Sequence, residues 1–151
     1  MATKKSAYYS VSIPLVLGAV CADASDSVVK DLEISGEMIG LAFQIRDDYL
    51  NLVVDTNKDF RNDITEGKRT LVVCKALELC SNEDREKLVG ILKSHTKDEN
   101  DLQTAVDILK NCGALDYAND KANELCAKAK EILVKTLPDS NWKDIILDMT
   151  N

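Results

Sequence analysis

The chain has 151 residues, of which 45% are hydrophobic, and a formal net charge of −7. This length and composition predict one domain with a sizeable core, and the negative charge argues against nucleic acid or an anionic membrane surface as the main partner, since both attract basic surfaces. The five cysteines are odd in number and form no Cys-x-x-Cys pair, which favours neither a disulfide framework nor a zinc site and suits a reducing cytoplasm.

The N-terminal stretch places Lys4 and Lys5 before an apolar run at residues 11–20. This is the layout of a secretory signal peptide, but residues 8–10 separate the charges from the run, and the run is too short to span a membrane. We therefore favour a core helix that bends near Pro14. Its polar side chains at positions i, i+4 and i+7 would form one stripe, made of Lys5, Tyr9 and Ser12.

The next predicted helix carries a second polar stripe with apolar residues on several sides. On an α-helix the stripe covers an arc of about 100° and consists of Gln44, Asp47, Asp48 and Asn51. Its apolar surroundings, from Met38 to Val54, predict a buried helix. Two adjacent buried carboxylates need compensating cations, and Mg²⁺ takes one or two protein carboxylates and completes its shell with water and phosphate oxygens. The alternative is that the two aspartates only solvate a surface helix.

A polar loop that ends in Asp63-Ile-Thr-Glu-Gly-Lys68 follows this helix. Cationic side chains in and beside the loop would reach phosphate groups at the acidic stripe. The candidates are Lys58, Arg61, Lys68 and Arg69.

The remainder of the chain reads as helices, and the predicted fold class is all-α with a single domain over residues 1–151. An apolar segment at 71–80 belongs to the core, and Ser81-Asn-Glu-Asp84 begins a helix that reaches about His95. We expect His95 to be a surface residue. Three further segments complete the chain: a helix from about Asp101 to Gly113, a helix over 114–137 that ends before Pro138, and an amphipathic stretch at 142–151.

The sequence from Phe43 to Asn51, Phe-Gln-Ile-Arg-Asp-Asp-Tyr-Leu-Asn, together with the loop at 63–68, resembles the second aspartate-rich motif of trans-isoprenyl diphosphate synthases. The nearest likeness is to geranylgeranyl diphosphate synthases. The family pattern is Phe-Gln-x-x-Asp-Asp-x-x-Asp, so Asn51 stands where the third aspartate is expected. Lys5-Ser-Ala-Tyr-Tyr9 resembles the family's Lys-Thr-x motif with serine in place of threonine, and residues 111–129 resemble its C-terminal helices.

This resemblance implies an all-α helical bundle of the isoprenoid-synthase type. It implies a prenyltransferase that joins an allylic diphosphate to isopentenyl diphosphate with Mg²⁺ as cofactor. The implied metal residues are Asp47, Asp48 and Asn51. The implied substrate-binding residues are Lys5, Ser6, Lys58 and Lys68 at the diphosphate, with Phe43, Gln44 and Tyr9 along the cavity near the carbocation.

The resemblance covers only the latter half or so of the family, whose members are considerably longer. The first aspartate-rich motif and the arginine and lysine that hold isopentenyl diphosphate do not occur in this sequence. We therefore expect the C-terminal part of a longer synthase, either a fragment or one half of a split gene, that is inactive alone and pairs with the missing half or with another copy. Two alternatives stay open: a non-catalytic helical subunit that modulates a complete synthase, and an unrelated helical scaffold.

Overall fold

The computed structural model describes residues 3–55 and 60–150, with side chains from residue 7 onward. Within these ranges all regular secondary structure is helical, which confirms the predicted all-α fold. In the described part of the chain a π-helical segment, Thr3–Ser12, is followed by α1 Ile13–Cys21, α2 Asp26–Val53, α3 Asn62–Thr65, α4 Leu71–Leu79, α5 Asn82–Ser94, α6 Glu99–Asn111, α7 Ala114–Thr136 and α8 Asn141–Asp148. None of these described helices is both long enough and apolar enough to cross a membrane.

The chain divides into two compact units. The first unit comprises Met1–Gln44 and Lys121–Asn151, and the second comprises Ile45–Asp120. Helices α2 and α7 each contribute residues to both units. The single domain expected over residues 1–151 stays a prediction.

The backbone of the π-helical segment lies directly against two glycines of α2 in the first unit. A Cβ atom added to Gly36 would lie 2.6 Å from the Cα of Ser12, and one added to Gly40 would lie 2.3 Å from the Cα of Ala7. The segment therefore runs antiparallel to α2, so the backbone of residues 3–6 lies toward the Gln44 end of that helix. The core of this unit is formed by Ala19, Leu32, Ile39, Ala129 and Leu133.

The predicted polar stripe on the N-terminal helix is wrong. Ser12 is fully buried and its Oγ donates a hydrogen bond to the carbonyl of Glu33 at 3.2 Å, whereas Tyr9 is 73% exposed. In a π-helix the backbone bonds join residues five apart, so positions spaced for an α-helix do not share a face. The predicted break near Pro14 corresponds to the change from π- to α-helix at the start of α1, where Pro14 occupies the first turn.

In the second unit the helix boundaries follow side-chain caps that the sequence predicts. Ser81 accepts a hydrogen bond from the amide of Asp84 at 3.1 Å, which confirms the capping motif of α5. Helix α6 begins earlier than predicted, because Asp98 caps it by accepting hydrogen bonds from the amides of residues 100 and 101. Gly113 ends α6 with a positive φ of 78°, as expected for a residue after the C-cap. The fully buried side chains in this unit include Leu52, Ile64, Leu88 and Leu109.

Candidate functional site

The acidic stripe lies on an exposed face of α2 in this chain. Asp47 is exposed and Asp48 is half-buried. Two of the apolar residues beside the stripe, Phe43 and Leu50, are 72% and 44% exposed. The prediction that this helix is buried holds for the face of Ile39, Ala42 and Ile45 and is wrong for the face of Phe43 and Leu50. An apolar pattern shows that a face could be covered but does not supply the cover. Asp47 is thus accessible from solvent, and Asp48 is partly accessible.

Asn51 anchors the polar loop to the last turn of α2. Its Oδ1 accepts a hydrogen bond from the amide of Asp63 at 3.1 Å, and its backbone carbonyl accepts one from the amide of Arg61 at 2.8 Å. The amide oxygen has a second lone pair, so a role as metal ligand stays a prediction. The anchoring role was not predicted from the sequence.

We call residues 60–68, which include α3, the arm. Within the arm the Lys68 Nζ lies 2.7 Å from the Oδ1 of Asp63, a carboxylate that is buried, and 3.1 Å from the Oε2 of Glu66. The hydrogen bond to Asp63 is the main reason that the pKa of Lys68 is raised above its usual 10.5, although partial burial acts in the opposite direction. The Lys68 side chain is still 50% exposed. It is thus a fixed cation that remains accessible from solvent.

The far end of the arm is attached to the end of α5. Gly67 has a positive φ of 63°, and a Cβ there would lie 2.7 Å from the carbonyl oxygen of Leu92. The Nδ1 of His95 lies 2.9 Å from the carbonyl oxygen of Thr65, so this nitrogen must carry the proton. His95 is exposed, as predicted. Its contact with the arm has no signature in the sequence.

The Arg61 side chain contacts α6, and its predicted role as a phosphate contact stays a prediction. Its Nη2 donates to the Oε1 of Gln103 at 2.7 Å, its Nη1 lies 3.8 Å from the Oε2 of Glu99, and its guanidinium lies 4.4 Å from the centre of the Phe60 ring. The side chain is therefore committed to α6.

The predicted site residues are distributed over both units. In the first unit, Tyr9 and Phe43 are largely exposed and Gln44 is half-buried. In the second unit, Asp47, Asp48 and Asn51 share α2, and Lys68 ends the arm that Asn51 anchors. Lys58 and the side chains of Lys5 and Ser6 lie outside the described residues, so their roles stay predictions.

Asp63 is the main residue of this region whose role the sequence analysis did not predict. In the sequence it is only the first residue of the loop motif at 63–68, yet it is buried and pairs with Lys68. The signal in the sequence for this pairing is a carboxylate that precedes a lysine by five residues, with a glycine between them.

The second unit offers two adjacent carboxylates as candidate metal ligands. Among residues 3–55 and 60–150, no three His, Cys, Asp or Glu side chains come together closely enough to hold a metal. Asp47 and Asp48 offer adjacent carboxylates on an exposed helix face. This arrangement fits Mg²⁺, which commonly uses one or two carboxylates and takes its other ligands from water and phosphate.

Comparison with known proteins identifies the protein family of this chain. The family model described as polyprenyl synthetase matches residues 1–109. The chain therefore belongs to the polyprenyl synthetase family, which confirms the resemblance to trans-isoprenyl diphosphate synthases. Its helices also match the all-helical fold of that family.

The chain is also similar to individual members of this family. The chain is 42% identical over 132 residues to a short chain isoprenyl diphosphate synthase of Methanothermobacter thermautotrophicus, covering 85% of this chain and 40% of that protein. A polyprenyl synthase structure from Roseobacter denitrificans matches with a TM-score of 0.86 and 32% identity, covering 99% of this chain and 48% of that one. A geranylgeranyl pyrophosphate synthase from Corynebacterium glutamicum, complexed with isoprenyl diphosphate and magnesium, matches with a TM-score of 0.87 and 25% identity, covering 97% and 42%.

The chain spans less than half the length of these relatives. Membership of the family rules out the unrelated helical scaffold. The modulating subunit is not favoured, since the relatives are named as synthases.

Proposed function

We propose that this chain binds Mg²⁺ and the diphosphate of an allylic substrate as part of a trans-prenyltransferase that uses isopentenyl diphosphate as its second substrate. The observation that carries the proposal is the accessible pair Asp47 and Asp48, one turn before the residue that anchors the arm of Lys68. The relative from Corynebacterium glutamicum, whose structure is described as complexed with isoprenyl diphosphate and magnesium, supports the ligand class.

In this proposal Asp47 and Asp48 hold Mg²⁺ directly or through its waters. A bound Mg²⁺ supplies charge neutralisation for the departing diphosphate. Because the two carboxylates are adjacent and reachable from solvent, binding the ion relieves their mutual repulsion. Asn51 contributes no negative charge to this set.

Lys68 is the side chain of the second unit that would bind the diphosphate. An ammonium group has three donors, and two of the Lys68 donors are directed to Asp63 and Glu66. The exposed half of the side chain is accessible to a phosphate oxygen. Because Lys68 is already fixed by Asp63, it can stabilise charge that builds on the leaving group without reorganisation.

The roles of the remaining predicted residues rest on the family resemblance. Lys5, Ser6 and Lys58 would contact the diphosphate. Tyr9, Phe43 and Gln44 would line the hydrocarbon cavity, and the exposure of both aromatic rings leaves them accessible to an apolar chain. Assembly with another copy or with a separate N-terminal half, and a cytoplasmic location, belong to the same proposal.

Calorimetric titration with an allylic thiolodiphosphate, with and without Mg²⁺, tests the proposal. We expect binding that requires Mg²⁺ and that weakens about tenfold or more when Asp47 and Asp48 are both changed to Asn, as for loss of a charge-assisted contact. The matched control changes Asp116 and Asp120, exposed acids on α7, to Asn and alters the net charge equally. Equal loss in both double variants, or binding that does not depend on Mg²⁺, would show that the acidic stripe is not the site.

A further inference from the structure

We infer that Arg61 is a positioning residue, which holds the arm in place by attaching it to α6 so that Lys68 and Asp63 are set for the ligand. The inference rests on the proposed function for its consequence, but its structural part can be tested without any ligand. It assigns to Arg61 a role different from that of the other cations near the arm.

The backbone at Arg61 makes the turn that joins α2 to the arm. Arg61 has a φ of 59°, a left-handed conformation that non-glycine residues seldom adopt. Its amide donates to the carbonyl of Asn51 at 2.8 Å, and its own carbonyl accepts from the amide of Ile64 at 3.1 Å. Such a conformation persists only where the surroundings over-determine it. The side chain supplies that constraint.

The Arg61 side chain is only 11% exposed and is held from several directions. Phe60 lies on one face of the guanidinium, while Gln103 and Glu99 of α6 accept from or pair with its terminal nitrogens. The Gln103 Nε2 donates to the Oδ1 of Asp107 at 2.8 Å, which directs the Oε1 of the same amide to Arg61. A planar guanidinium fixed in this way gives geometric precision that a lysine cannot give.

Helix α6 is a firm support for this attachment. Its inward side chains Leu102, Ala105 and Leu109 are buried. The other end of the arm is held by Gly67 and His95 at α5. Asp63 thus lies between two attachment points and Lys68 directly follows the second, and Arg61 provides the one that is nearer to the acidic stripe along the chain.

The Arg61 Nε is buried and has no hydrogen-bond partner among the residues that the structure describes. The contacts that span from the arm to α6 are made by the two terminal nitrogens of the guanidinium.

Amide hydrogen exchange at Asp63, measured by NMR without ligand, tests the attachment. The first variant, Arg61→Gly, removes the side chain and the left-handed strain together. The second variant, Gln103→Ala, removes the hydrogen-bond acceptor of Arg61 from the exposed surface of α6 and leaves Arg61 itself intact. We expect exchange at Asp63 to accelerate about tenfold or more in both, with the amides of α4 unchanged, as for local opening. Lys97→Ala is the matched control, because it removes an equal charge from an exposed position outside the arm.

Binding of inorganic diphosphate with Mg²⁺ then separates positioning from direct contact. If Arg61 positions the arm, Arg61→Gly and Gln103→Ala both weaken binding, whereas a direct phosphate contact would be lost only in Arg61→Gly. Unchanged exchange at Asp63 in both variants would overturn the inference whether or not diphosphate binds. Failure of the wild-type chain to bind Mg²⁺ and diphosphate would count against the proposed function alone, since the exchange result decides the attachment independently.

Discussion

Lys68 combines two tasks at the scale of a single residue, because it neutralises Asp63 and presents an accessible cation. We predict that Lys68→Ala weakens Mg²⁺-dependent diphosphate binding by about 1.5–3 kcal/mol, typical of a hydrogen bond to a charged group. Lys97→Ala, an exposed lysine in the connector before α6, should have little effect. Calorimetry on both variants measures the difference, and equal losses would remove Lys68 from the site.

The raised pKa of Lys68 predicts how the stabilisation by its pairing with Asp63 depends on pH. A group whose pKa is higher in the folded state stabilises fully below its unfolded value, here 10.5, and loses that stabilisation as the pH rises through the folded value. The difference in unfolding free energy between wild type and Lys68→Ala should therefore be constant around neutral pH and shrink only above about pH 10. Urea unfolding over a pH series measures it. A difference that already falls between neutral pH and that range would contradict the pairing.

Asn51 offers a test of the incomplete acidic motif. Asn51→Asp keeps an oxygen that can accept from the amide of Asp63 and restores the third carboxylate of the family pattern. We expect tighter Mg²⁺-dependent diphosphate binding and a less stable free protein, because a like charge is added beside Asp47 and Asp48. Asn119→Asp on exposed α7 is the charge-matched control. Calorimetry that shows the same affinity for both variants would place position 51 outside the reach of the ion.

At the scale of elements, the sequence predicts what local chemistry determines. Ser81, Gly113 and Pro138 mark helix ends through their own side chains or φ preferences, and the structure places the boundaries beside them. The start of α6 differs because several polar residues compete to cap it, and Asp98 makes the cap. Such boundaries are decided by small differences between neighbouring residues.

Features that depend on distant contacts could not be predicted from the sequence. The π-helical segment is defined by backbone contact with Gly36 and Gly40, which lie far along the chain. The left-handed turn at Arg61 likewise depends on contacts with α6. A hydrophobic pattern also does not show which apolar face is covered in the folded chain. Phe43, for example, is an apolar residue of α2 that is exposed.

The close approach at Gly40 leads to a prediction for the N-terminal segment. A Cβ at Gly40 would lie 2.3 Å from the backbone of Ala7, so Gly40→Ala must displace the segment. We expect a loss of about 1–3 kcal/mol in unfolding free energy, as for overpacking. Gly18→Ala in α1 is the control, since nothing lies within 4 Å of its Cβ position, and it should stabilise by about 1 kcal/mol through helix propensity. Urea denaturation distinguishes them, and a neutral Gly40→Ala would mean that the segment is not packed there.

At the scale of the whole molecule, the proposed function gives this chain one acidic stripe, on α2. Adjacent aspartates occur once in this sequence, at Asp47 and Asp48. The chain also spans 40% of the length of the synthase from Methanothermobacter thermautotrophicus. Under the proposed function, a single acidic stripe would bind Mg²⁺ and a diphosphate but would not fix a second substrate at attacking distance.

We therefore predict that this chain by itself turns over no substrate. Holding two reactants in an attacking geometry supplies about 7–11 kcal/mol of a barrier, and this sequence lacks the motif expected to hold isopentenyl diphosphate. The assay incubates the purified chain with Mg²⁺, isopentenyl diphosphate and allylic diphosphates of several lengths and measures elongated product. The control is a double variant with Asp47→Ala and Asp48→Ala. Product above that control would show that this chain, alone or with another copy of itself, completes the site, because condensation cannot occur without both substrates held together.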